Sequence, residues 1–226
     1  MRLDDRLTAC AELVRRGSRM ADIGTDHAHL PVYLVENGVC PGAVASDIRP
    51  GPAAAARRTV EQAGLTDKIA IRVGDGLAPL QPGECGDIVI AGMGGETIAA
   101  ILSVPAWIRE GGVRLILQPM TRAEALHRFL LANGFAIGTE TVVRDGTHLY
   151  PVLSAAYTGE RLAAPSPAQC IIGGLGREGE AAAYLLKQRQ ILLKKAEGLR
   201  GADPGQAAAC EETAAAVEEY LRRPPV

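Results

Sequence analysis

Four loops in this sequence carry residue types that could hold a ligand together. Asp22-Ile23-Gly24-Thr25-Asp26-His27-Ala28-His29 lies between two apolar runs, and Asp47 closes the run Ala43-Val44-Ala45-Ser46. Gly74-Asp75-Gly76 follows Ile69-Ala70-Ile71-Arg72-Val73, and Ala91-Gly92-Met93-Gly94-Gly95 follows Asp87-Ile88-Val89-Ile90. A carboxylate at the end of an apolar run can accept hydrogen bonds from ribose hydroxyls or an exocyclic amine. A glycine there lets the backbone come close to a ligand. Together these are the means by which a doubly wound sheet holds a nucleoside-bearing cofactor. The first loop is not a dinucleotide fingerprint, because it has Gly24 alone, with Asp26 and His27 where further glycines would stand.

The elements that must position these loops follow from the pattern. Apolar runs predict strands over Met20–Ile23, Ala43–Asp47, Ile69–Val73, 87–91 and 113–118, each bounded by Gly, Asp or Pro. Helical periods fall over 3–16, 31–37, 52–63, 96–102 and 122–133, with glycine stops at Gly17, Gly38, Gly64 and Gly134. Residues 135–143 and 148–156 read as a hairpin closed by Asp145-Gly146. The expected fold is α/β: a Rossmann-like, seven-stranded, mostly parallel sheet with an antiparallel edge, as in many methyltransferases. Residues 157–170 read as a Pro-containing connector. Gly179–Leu199 and 204–223 follow as an antiparallel, coiled-coil-like helical hairpin, with Leu185, Gln188, Leu192, Lys195 and Leu199 on one stripe facing Ala209, Thr213, Val217, Tyr220 and Leu221. The chain therefore divides into a cofactor-binding domain, 1–160, and a C-terminal helical domain, 161–226.

Each strand-end loop has a role to offer S-adenosylmethionine. Gly24 and Thr25, with the N–H groups of the following helix start, suit the methionine carboxylate, and Asp22 or Asp26 suits its ammonium. Asp47, with Ile48 beside it, can take the ribose, and Asp75, with Gly76, the adenine amine. Gly92, Met93 and Gly94 can pass close to the reactive methyl. Taken singly, each has a plainer reading as a turn or helix cap; their occurrence at successive strand ends favours the cofactor. His127 and His148 read as structural or surface residues, and the five scattered cysteines as packing.

Composition bounds the alternatives. Hydrophobic residues make up 47% of the 226-residue chain, which is ordinary for a globular protein. No apolar run reaches membrane-spanning length, and the charged N-terminus does not read as a signal peptide. The cysteines form no CxxC pair, so no metal site is expected and a reducing cytoplasm fits best. The net charge of −2 argues mildly against nucleic acid. However, Lys187, Arg189, Lys194, Lys195 and Arg200 cluster on one predicted helix, where they could contact RNA phosphates. The sequence is silent on the oligomeric state and compatible with a monomer.

The strings from Asp22 to Pro31, Asp47 with Gly51-Pro52, Gly74-Asp75-Gly76-Leu77, Ile90 to Gly95 and Leu115 to Pro119 resemble the bacterial tRNA adenine N1-methyltransferases that act at position 22. The resemblance spans nearly the whole chain. It implies a class I methyltransferase domain with a C-terminal helical pair, S-adenosylmethionine as methyl donor and tRNA as substrate. By motif, Gly24, Asp26 and His27 would line the methionine end, Asp47 the ribose, Asp75 the adenine and residues 92–94 the sulfonium region. Asp26 would stabilise positive charge developing on the target base. His29 stands where the family is expected to have an aromatic, usually tyrosine, and would orient the base in its place. The chain lacks the Asn/Asp-Pro-Pro-Tyr/Phe string associated with exocyclic amine methylation, which favours a ring nitrogen. The competing readings are a methyltransferase for another RNA position or a small molecule, a nicotinamide-dependent reductase, which the single glycine disfavours, and a non-enzymatic RNA-binding protein.

Overall fold

The structure, a computed structural model, describes residues 1–223. The chain runs α1 (Asp5–Leu13), β1 (Met20–Ile23), α2 (His29–Glu36), β2 (Ala43–Asp47), α3 (Pro50–Gln62), β3 (Ile69–Val73), β4 (Asp87–Gly94), α4 (Gly95–Ser103), β5 (Arg114–Thr121), α5 (Ala123–Ala132), β6 (Phe135–Asp145), β7 (His148–Tyr157), α6 (Pro167–Ile172), α7 (Gly179–Leu199) and α8 (Pro204–Arg222). The seven strands form one sheet in the order β3-β2-β1-β4-β5-β7-β6. β1 to β5 pair in parallel, and β7 enters antiparallel to both β5 and β6.

The parallel strands are buried on both faces, so alternate residues enter different cores. Met20, Ala43, Ala45, Val89 and Ile116 pack with Cys10, Leu30, Leu34 and Val60 on one side. Ala21, Ile23, Val44, Ile88, Ile90, Leu115 and Leu117 pack with Ile98, Leu102, Leu126, Leu130 and Phe135 on the other. Held between two such layers, β1, β2, β3 and β4 end at one rim of the sheet, and the candidate loops open there.

Several boundaries differ from the sequence expectation for local physical reasons. β4 does not stop at Ala91; it continues to Gly94 through two register shifts against β5, pairing Met93 with Pro119 and Gly94 with Thr121. α2 begins before Pro31, which its first turn tolerates because those N–H groups have no intrahelical acceptor. The end of the expected connector is helical. Ser166 caps α6 by accepting from the Gln169 N–H, Gln169 returns a bond to the Ser166 N–H, and Pro167 occupies the first turn.

α7 and α8 form the antiparallel pair, and a third core joins them to the sheet: Val142 of β6 packs with Leu175, Tyr184, Leu185 and Val217. On the expected stripe, Lys195 is exposed and Ala196 is buried in its place; Ala209 is exposed opposite, while Ala207 and Ala214 are buried. Small residues bring the two helices close along this part of the seam. The last three residues of the expected second domain lie outside the described residues.

Candidate functional site

A cavity of about 1070 Å³ opens at the rim where β1, β2, β3 and β4 end. It is lined by Asp22, Gly24, Thr25, Asp26, His27, His29, Asp47, Ile48, Asp75, Gly76, Gly92 and Met93 from the expected set. Gly94 does not line it. It lies in the bulged end of β4, beside Thr121.

The loop after β1 is tightly built. Gly24 and Thr25 both donate their N–H to the Ser46 carbonyl, at 2.8 and 2.9 Å, tying the first loop to the end of β2. Gly24 has φ +76°, which favours glycine, and a Cβ there would also meet the Met93 Cε, so the end of that side chain would have to move. Asp26 (φ 49°) and Ala28 (φ 57°) are also left-handed. Non-glycine residues in this region cost about 1–3 kcal/mol each, a strain typical of functional loops. Between them His27 is turned outward. Its ring stacks on that of His29 at 5.5 Å between centroids, with Asp26 Oδ2 3.5 Å from His27 Nε2. Ala28, the N-cap of α2, offers no side chain to the first turn.

Three of the carboxylates that line the cavity, those of Asp22, Asp47 and Asp75, are in different states. Asp22 is buried, and its Oδ2 accepts from the Thr25 hydroxyl at 2.6 Å. Burial pushes its pKa up to about 6; the Thr25 hydrogen bond opposes this and the nearby Asp47 charge adds to it. Asp47 uses Oδ1 to accept the Arg49 N–H at 2.9 Å, the turn-capping role that its plainer reading foresaw, while still lining the cavity. Asp75 is exposed, and its carboxylate has no hydrogen-bond or ionic partner among the described residues.

Ser46, Arg6, Thr97 and Trp107 also line the cavity, and no sequence pattern pointed to them. The Ser46 hydroxyl is 1% exposed at residue level and has no partner, an orphaned polar atom beside Asp47. Arg6 arrives from α1, more than a hundred residues from the Gln118 side chain it approaches, so only the tertiary fold brings it in. Gly95 serves packing rather than ligand approach: a Cβ there would overlap the Arg122 carbonyl where the end of β4 meets the turn into α5.

The remaining expected residues lie elsewhere. On α7, Arg189 pairs with Glu218 and Arg200 with Glu211, so these two cations pin α7 to α8. Lys187, Lys194 and Lys195 are exposed and have no ionic partner among the described residues. His127 is buried against Glu140, and His148 is exposed beside Tyr150. Cys10, Cys40, Cys85 and Cys170 are buried free thiols; burial pushes Cys10 up to about 12 and Cys40 and Cys85 up to about 11, which suits packing. The described residues contain no group of metal-ligating side chains and no helix long and apolar enough to cross a membrane.

Comparison with known proteins agrees with this geometry. Residues 3–153 match the family model described as a methyltransferase domain. The tRNA (adenine(22)-N(1))-methyltransferase of Bacillus subtilis is 38% identical over 199 residues, covering 85% of this chain and 82% of that one. The crystal structure of the B. subtilis m1A22 tRNA methyltransferase superposes with a TM-score of 0.84 at 34% identity, covering 97% of this chain and 99% of that one. A Streptococcus pneumoniae protein described as a putative tRNA (m1A22) methyltransferase, solved in complex with S-adenosyl-L-methionine, superposes with a TM-score of 0.81 at 31% identity, covering 98% and 100%.

Proposed function

Because this chain belongs to the tRNA (adenine(22)-N(1))-methyltransferase family, we propose that its cavity binds S-adenosylmethionine and that the protein methylates N1 of adenine 22 in tRNA. The observation that carries this reading is the set of acceptors Asp22, Asp47 and Asp75 at three successive strand ends, opening into one cavity with Asp26, His27 and His29. The ligand is rich in donors, with an ammonium, two ribose hydroxyls and an exocyclic amine, and the cavity is correspondingly rich in acceptors. The buried, partnerless Ser46 hydroxyl and the buried Asp22 carboxyl both gain a partner from such a ligand. The residues therefore fit the cofactor.

S-adenosylmethionine supplies an electrophilic methyl group when bound. The chain's own residues do the rest. Asp22, oriented by Thr25, receives the ammonium, and the open first turn of α2 receives the carboxylate. Asp47, flanked by Ile48, takes the ribose, and Asp75 with Gly76 takes the adenine amine. Gly92 and Met93 border the reacting centre. Adenine N1 has an available lone pair, so no strong base is needed; what remains is alignment, desolvation and electrostatics. Asp26 faces the charge that grows on the target ring, and the stacked His27 and His29 rings present a surface on which an extruded base can rest. The N-terminal unit, 1–160, carries this chemistry. In the C-terminal unit, 161–226, Lys187, Lys194 and Lys195 reach tRNA phosphates, while Arg189 and Arg200 keep the helical pair in shape. The buried free thiols accord with a reducing cytoplasm, where tRNA is modified.

The test is methyl transfer from labelled S-adenosylmethionine to unmodified tRNA, with nucleoside mass spectrometry of the product and Asp26→Ala as control. N1-methyladenosine at position 22 is the expected product. The absence of incorporation into any bacterial tRNA would sink the reading.

A further inference from the structure

Arg6 sits at the meeting point of four segments. It belongs to the first turn of α1, and its side chain is only 20% exposed. Its Nε donates to Asp145 Oδ2 at 3.1 Å and its Nη2 to Asp4 Oδ2 at 2.7 Å. Its Nη1 lies 3.4 Å from Gln118 Oε1 and 3.2 Å from the Met120 sulfur, and its guanidinium carbon lies 5.8 Å from the Tyr150 ring centroid. Gln118 is fully buried, and the same Oε1 accepts the Gly92 N–H at 3.0 Å. Its Nε2 donates to the Pro119 carbonyl at 3.1 Å, which fixes which way round the amide lies. One amide oxygen thus stands between the guanidinium and the backbone of the loop that borders the reacting centre.

We propose that Arg6 is a positioning residue for methyl transfer: its guanidinium, braced by Asp145 and Asp4, holds the Gln118 amide oxygen on the Gly92 N–H and so fixes the bulged end of β4 that borders the reacting centre. This rests on the methyl-transfer reading given above. Two alternatives have less support on the same geometry. A phosphate contact requires an available cation, whereas two carboxylates already share the Arg6 charge. A purely structural pin between α1 and the hairpin requires only the Asp145 contact, and does not explain why Nη1 points at an amide that is itself bonded to Gly92. A lysine places a single ammonium where the guanidinium fork reaches four groups, so the two side chains are not equivalent here.

The experiment compares Arg6→Gln and Arg6→Lys with the unaltered protein. In Arg6→Gln, kcat falls about 10- to 100-fold, while the tRNA KM and the S-adenosylmethionine Kd stay within about threefold, and Arg6→Lys recovers part of the loss. Amide exchange at Gly92, read by NMR, speeds up in both variants, while that at Gly24 does not. A loss carried mainly by the tRNA KM and growing with salt would overturn the proposal in favour of a phosphate contact. Unchanged exchange at Gly92 would overturn it outright. If Arg6→Gln does not fold, Arg6→Lys and the exchange measurement decide. If the unaltered protein methylates no tRNA, the functional reading fails, and the Gly92 exchange still judges Arg6.

Discussion

Glu140 Oε1 lies 2.9 Å from His127 Nε2, the Cys170 carbonyl lies 2.7 Å from His127 Nδ1, and both side chains of the pair are closed to solvent. Two acceptors face the two ring nitrogens, so only the doubly protonated ring satisfies both. The other Glu140 oxygen accepts the Gly174 N–H at 2.6 Å. The pair thus joins α5, β6 and the turn that follows α6. Burial works to lower the His127 pKa, but the Glu140 hydrogen bond and charge, with the Cys170 carbonyl, outweigh it and raise it above the usual 6.5.

A histidine with a raised folded-state pKa stabilises fully below its unfolded value and loses that contribution as pH rises through the folded value. Stability should therefore fall on the alkaline side of about pH 6.5, and denaturant midpoints measured from pH 6 to 9 should record the decline. Glu140→Gln should cost about 3–5 kcal/mol near pH 6, the scale for breaking a buried pair, and should flatten that decline. A variant as stable as the parent at pH 6 would show the pair to be energetically idle.

Gly24→Ala should weaken cofactor binding without unfolding the protein. The left-handed backbone alone costs an alanine about 1–2 kcal/mol. The added methyl also obliges the Met93 side chain, which lines the cavity, to move. Titration calorimetry with S-adenosylmethionine should show affinity reduced more than about tenfold, alongside a cooperative melt.

Cofactor affinity should depend on pH through Asp22. With its pKa raised to about 6, the carboxyl is neutral below that pH and is a poor partner for an ammonium. Affinity should therefore climb about tenfold per pH unit from pH 5 towards 6 and level off above 7. Without ligand the sign reverses: the raised pKa makes folding less favourable as pH rises from about 4 through 6. Thr25→Val removes the hydrogen bond that favours the ionised form, so the binding curve should move to higher pH. In Asp22→Asn, binding should be weak and flat across the range, and a curve that kept its slope would assign the titration to another group.

Replacing Lys187, Lys194 and Lys195 together with glutamate should raise the tRNA KM about tenfold or more near 0.1 M salt, with the penalty shrinking as salt rises. Cofactor affinity should be untouched, because none of the three lines the cavity. Filter binding of labelled tRNA across a salt series checks this. Arg189→Ala and Arg200→Ala should act differently, loosening the α7–α8 pair with little change in the salt slope, since each cation already has a glutamate partner.

The sheet and most of the cavity were legible in the sequence because both are local there. Each buried strand is an apolar run, and the residue that ends it is the one presented at the rim, so Asp22, Asp47 and Asp75 could be assigned one by one. The end of β4 was set too early because a bulged continuation of a strand and a glycine turn look alike in sequence. The helix at Pro167 was obscured because its proline reads as a breaker, although Ser166 and Gln169 spell out a capping box. Arg6, Ser46 and the His127–Glu140 pair carried no sequence signal. The partners of Arg6 and His127 lie elsewhere along the chain, the Ser46 hydroxyl has none, and those surroundings exist only once the layers have packed.

β6 is the last strand of the sheet, and the third hydrophobic core seats the C-terminal helices on Val142 within it. An outermost strand is ordinarily an invitation to further pairing, because its amides on one side have no neighbour. Here α7 and α8 of the same chain pack against β6 through Val142. Mutations that loosen the seat of these helices on Val142 should therefore be seen first as aggregation, before activity declines.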